Sequence, residues 1–182
     1  MKYLFCILIP IGLSVLVSSM KHIVRFANAK MLYEMPCTSR EGIFTLITQG
    51  KYGIWLSGKQ FIKSPIGELG IKLINQQTGK NIPLSAKLLR TSVSGFETGR
   101  IELYSFLAEE GIYVISLDGE GSAGDKAGSF VINAINKHPV DYSQFSIQIR
   151  KHIPVMVLVL CILGIILGFM AMGLGIIFPI VL

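Results

Sequence analysis

A chain of 182 residues with 51% hydrophobic and only 15% charged side chains, and a mean hydropathy of +0.59, departs from soluble domains, in which about 25% of residues are charged. Its net charge of +6 does not point to nucleic acid: Lys2, Lys21, Arg25, Lys30, Arg150 and Lys151 flank apolar ends while the middle is close to balance, whereas a nucleic-acid binder carries its positive patch on the folded domain. Three cysteines, two of them (Cys6 and Cys161) inside apolar segments, exclude a soluble disulfide framework.

The first element is the uncharged run Tyr3 to Ser19 behind Lys2. It reads as a membrane helix over residues 1–20 acting as a signal-anchor, with a cleaved export signal ending near Val17 and Ser19 as the alternative. Residues 21–39 come next as a juxtamembrane linker or a thin continuation of that helix through Ile23, Val24 and Phe26. Lys21 and Arg25 are expected at the lipid headgroups.

From residue 40 the period changes to two. Short β-type runs occur at Phe44–Thr48, Tyr52–Leu56, Leu69–Ile74, Leu84–Leu89, Ile101–Leu107, Ile112–Leu117, Phe130–Ile135 and Phe145–Ile149. Gly, Asn, Asp, Pro and Ser separate them, as in Asn75–Lys80 and Ser92–Gly99. Regularly spaced short strands predict an antiparallel β-sandwich, or a partly open barrel, over residues 40–149. Gly50 to Gly58 and Gly111 to Gly119 share the pattern G-x-Y-x-I-x-L-x-G. Alternation puts Tyr52, Ile54, Leu56, Tyr113, Ile115 and Leu117 toward the core and Trp55 on the opposite side of its sheet. A buried tyrosine at a strand start can tie its hydroxyl to a nearby corner.

Gly119, Gly121 and Gly124 match G-x-G-x-x-G after a strand, but the next segment is another strand-like run instead of the helix that a dinucleotide site needs. Asp118 to Gly128 therefore reads as a hairpin loop. Its carboxylates, Asp118, Glu120 and Asp125, lack the EF-hand spacing. Glu109-Glu110 reads as a solvated turn, and His138 as a turn residue before Pro139. No catalytic residue, cofactor-binding residue or metal ligand is assigned.

The last element, over residues 150–182, is a second membrane helix. Val155 to Phe178 is uncharged, about 36 Å of helix against roughly 30 Å of hydrocarbon. A removable lipid-anchor signal lacks its small-residue site and spacer. Pro154 suits a helix start, and Arg150, Lys151 and His152 mark the water interface. Cys161, Gly164, Gly168, Ala171 and Gly175 recur at 3-4-3-4 spacing on one face, a small-residue stripe suited to close helix packing. Cys6, Pro10, Ser14 and Ser18 form a candidate partner face on the first helix.

The expected function is that of a non-enzymatic, membrane-anchored β-domain acting as a protein-binding or assembly subunit of an inner-membrane complex. Two alternatives stand beside it: an immunity-type protein neutralising a membrane- or periplasm-acting toxin, and a membrane-bound enzyme with a dispersed site. The expected partners are membrane lipid, a protein on the β-domain, and another membrane protein or a second copy through the C-terminal helix. The juxtamembrane cations favour a cytoplasmic domain, but the rule fades for connections beyond about 60 residues. The export-like N-terminus favours a domain outside the cytoplasm of a bacterium, and that placement is the expectation.

Overall fold

The computed structural model describes residues 2–59, 69–87, 90–117 and 141–181. They form two compact units, one of helices (Met1–Ala29 with Ile153–Leu182) and one of sheets (Lys30–His152).

In the helical unit, a 3-10 turn at Lys2–Ile7 leads into α1, Leu8–Ala27, and the chain ends in α2, Val155–Val181. Pro10 sits in the first turn of α1, where a backbone N–H would have no intrahelical acceptor. Both helices are long and apolar enough to cross a membrane.

The sheet unit is mainly antiparallel β. Its strands are β1 (Met31–Pro36), β2 (Glu41–Leu46), β3 (Gly50–Lys59), β4 (Lys72–Asn75), β5 (Ser85–Ala86), β6 (Ser92–Ser94), β7 (Thr98–Ala108), β8 (Gly111–Ser116) and β9 (Phe145–Lys151). One sheet has the order β1-β9-β3-β7-β5, with β6 also on β7; the other is β2-β8-β4. The expected turn after β4 is present: Asn75 Oδ1 accepts from the N–H groups of Gln77 and Thr78 at 2.9 and 3.1 Å. Gly79 closes that turn at φ +65°, a conformation open to glycine without steric penalty.

Side chains from both sheets join one hydrophobic cluster, with Ile54, Leu73, Ile115, Ile147 and Ile149 all fully buried. β-branched isoleucine suits such positions because its few rotamers fit the pleated surface. Tyr33, Phe44 and Tyr113 stack in sequence, with centroid separations of 5.4 and 5.8 Å. The repeated motif builds the same corner twice, once in each sheet. The Tyr52 hydroxyl donates to the Thr48 carbonyl and the Tyr113 hydroxyl to the Glu109 carbonyl.

Three local features differ from the expectations. β1 lies inside the expected 21–39 linker and pairs with β9; its irregular mix of Leu, Tyr, Glu and Met hides a period of two. β6 falls within the expected turn Ser92–Gly99. In β7 the register shifts opposite Ile54 and Trp55, so Leu103 is an extra residue. The bulge puts both Leu103 and Tyr104 in the core and keeps Glu102 and Ser105 together on the other side. The expected strand Phe130–Ile135, the loop Asp118–Gly128 and His138 lie outside the described residues.

Candidate functional site

The α2 stripe faces α1. Cys161, Gly168 and Gly175 are buried, and Gly164 and Ala171 are partly buried. A Cβ on Gly168 would come within 2.8 Å of Leu16 Cγ and 2.9 Å of the Gly12 carbonyl oxygen. A Cβ on Gly12 would come within 2.6 Å of the Gly168 carbonyl oxygen. A Cβ on Gly175 would meet Ile9 Cγ1 at 2.8 Å, and the Phe5 and Phe178 rings stack at 4.8 Å. These contacts make an antiparallel pair whose backbones touch at glycine. The α1 side of the seam is Phe5, Ile9, Gly12, Leu16 and Ser19. It is not the anticipated face, since Cys6, Pro10, Ser14 and Ser18 are exposed. Of the expected membrane-interface cations, Lys21, Arg25 and Lys151 are exposed, whereas Arg150 is buried on the sheet.

Arg150 belongs to a polar array on the face of the larger sheet opposite its core. Pairing registers align Glu34, Gln148, Trp55 and Glu102 in one row across β1, β9, β3 and β7. Neighbouring rows contribute Ser146, Ser57 and Arg100, and Arg150, Gly53 and Ser105. Glu34 Oε1 accepts from Ser146 Oγ at 2.6 Å and from Gln148 Nε2 at 2.8 Å. Gln148 Oε1 in turn accepts from Arg150 Nε at 2.8 Å. The bonds from Ser146 and Gln148, aided by the Arg150 charge, hold the Glu34 carboxyl below its ordinary value. Burial lowers both Arg150 and Arg100, and the two guanidiniums also repel. Arg100 lies over the Trp55 ring, 5.9 Å from its centroid, within cation–π range.

At the centre of this face, Glu102 Oε1 and His152 Nδ1 are 2.7 Å apart, with both side chains buried. Gly53 makes the space. A Cβ there would lie 2.6 Å from Glu102 Oε1 and 2.8 Å from Trp55 Nε1. Glu102 Oε2 and Trp55 Nε1 are buried without a hydrogen-bond partner among the described residues. An unmet buried polar atom costs about 1–3 kcal/mol. Among the described residues, no group of three or more His, Cys, Asp or Glu side chains could hold a metal ion. Sequence reasoning missed the pair because His152 adjoins the apolar helix; the available signal was a glutamate inside the strand run Ile101–Leu107.

The outer face of the smaller sheet is different. Ile43 and Ile74 both lie opposite Val114, and Glu41 and Lys72 both lie opposite Ser116. Ile43 is 58% exposed, and Ile47, just past the end of β2, is 85% exposed. This is an apolar β-branched row beside one acidic and one basic side chain.

Cys37, between β1 and β2, is buried, and burial pushes its thiol up to about 12. The thiolate is the reactive form, so a water-soluble maleimide at pH 7 is expected to spare Cys37 in the folded full-length protein and to modify it after denaturation. Mass spectrometry of the Cys37 peptide reads this directly. Modification at the rate of an unfolded thiol would mean that β1 opens readily. Neither a family profile nor any curated protein or solved structure matches the chain.

Proposed function

We propose that this chain is a non-enzymatic protein anchored by α1 and α2 in a membrane, whose sheet domain binds a protein partner as a subunit of a membrane complex. In this reading the two sheets pack face to face as a sandwich, which their shared hydrophobic cluster supports. The expected setting is the inner membrane of a bacterium with the domain outside the cytoplasm, in keeping with the export-like N-terminus. The observation that carries the binding role is the Ile43–Val114–Ile74 row. An apolar row in which Ile43 is exposed and Val114 and Ile74 are half-buried, rimmed by Glu41 and Lys72, has the make-up of a docking patch, an apolar centre with a polar edge.

The test places a photoreactive side chain at Ile43, and at Lys80 in the exposed turn as a control, in the full-length protein in intact cells. A discrete crosslinked species is expected from position 43 and not from position 80. Ile43→Asp should suppress the same complex about tenfold or more, as loss of an apolar anchor does, while the fluorescence of Trp55 stays unchanged. Identical patterns from both positions, or an intact complex with Ile43→Asp, would remove the proposal.

A further inference from the structure

The helical unit carries a groove on its surface beside the seam, with which it shares Leu16. It has a volume of about 540 Å3 and is lined by Leu16, Val17, Met20 and Val24 of α1 and by Ile165 and Phe169 of α2, with Lys21 at its edge. Every lining side chain but Lys21 is apolar.

We infer that this groove holds one acyl chain of an anionic phospholipid whose phosphate is bound by Lys21 and Arg25. The inference rests on the membrane-anchor reading and concerns α1 and α2 alone. Its first support is depth. From Lys2 to Lys21 is about 31 Å, counting the 3-10 turn at its steeper rise, close to the roughly 30 Å of bilayer hydrocarbon. Lys21 thus stands near the headgroup boundary, and the α1 lining of the groove runs from Val24 past Lys21 to Leu16, about 12 Å along the helix. Its second support is charge. Lys21 and Arg25 are four residues apart, so they share one side of α1, and both are exposed. The sequence has no acidic residue before Glu34, so α1 supplies no carboxylate to neutralise them. A phosphate matches this pair, and the chain beneath it matches the apolar floor.

A zwitterionic lipid would present the same chain, but its ammonium offsets the attraction. A cation near the membrane surface contributes roughly fivefold to binding of anionic lipid. A helix from a partner protein is the competing occupant, and it would need no anionic headgroup.

The experiment uses the full-length protein carrying Phe169→Trp, reconstituted into bilayers with brominated phosphatidylglycerol or brominated phosphatidylcholine, which quench nearby tryptophan. The parent chain, with Trp55 alone, gives the background. Leu167→Trp, whose parent side chain is 61% exposed on another side of α2, reports ordinary lipid contact. At position 169 the anionic lipid should quench at a mole fraction about fivefold or more lower than the zwitterionic one. Lys21→Gln with Arg25→Gln should bring that ratio to about one, and position 167 should show little preference. Equal quenching by both lipids at 169 overturns the inference, as does a preference that survives loss of both cations. Quenching at 167 but not at 169 would mean that protein fills the groove, which also overturns it. Quenching at neither position would instead remove the membrane reading on which it rests.

Discussion

His152→Leu is expected to destabilise the sheet domain by about 3 kcal/mol. The Glu102 side chain is fully buried. Among the described residues, His152 is the hydrogen-bond partner of its Oε1, at 2.7 Å, and Oε2 has none. Removing the imidazole would leave both carboxyl oxygens buried and unmet, which is worse than having no carboxyl at all. Glu102→Leu combined with His152→Leu should therefore recover much of the loss, and a double-mutant cycle would give the coupling directly. Trp55, the single tryptophan, lies in the same cross-strand row as Glu102, so its fluorescence follows unfolding of this face in the full-length protein. The expected signature is a lower denaturant midpoint with an unchanged slope. A loss of only about 0.5 kcal/mol, typical of a surface substitution, would mean that the imidazole does not hold the carboxyl.

Local pattern exposed some of this structure and concealed the rest. Tyr52, Ile54, Tyr113 and Ile115 could be placed in the core because each strand repeats at a period of two and carries its turn glycine with it. The Asn75–Lys80 turn was equally local. The polar face was not legible, because it exists only once the order β1-β9-β3-β7 is known. Glu34 and Gln148 are separated by 114 residues in sequence and meet only through strand pairing. Arg150 and His152 were read only as interface residues for a related reason: beside an apolar helix nothing local shows that both are buried on the sheet face. The Leu103 bulge added a change of phase that simple alternation does not anticipate. On α1, small and polar residues drew attention to Cys6, Pro10, Ser14 and Ser18. The seam instead uses Gly12 where the backbones touch at Gly168 and Ser19 where α1 meets Gly164, with Ile9 and Leu16 filling the space between.

That seam gives the second large expected effect. Gly168→Leu should open the helix pair by about 1–2 kcal/mol, a change of roughly five- to thirtyfold in the ratio of closed to open pairs. The reason is contact between backbones. The positions a Cβ would take on Gly168 and on Gly12 are each within 3 Å of the opposite carbonyl oxygen, so a leucine cannot be accepted by moving a flexible side chain aside. Gly173→Leu is the matched control, because a Cβ there would meet nothing within 4 Å; it adds the same bulk to the same helix. Closure can be read from a disulfide between Phe5→Cys and Phe178→Cys, whose parent rings stack at 4.8 Å, in a chain also carrying Cys6→Ser and Cys161→Ser. Under mild oxidation the parent should give a cross-closed monomer in high yield. Gly168→Leu should cut that yield several-fold, Gly173→Leu should leave it near the parent, and Trp55 fluorescence should be the same in all three. Equal closure in Gly168→Leu and the parent would show that the helices do not depend on backbone contact at Gly12 and Gly168, and that apolar bulk along α2 is enough to pair them.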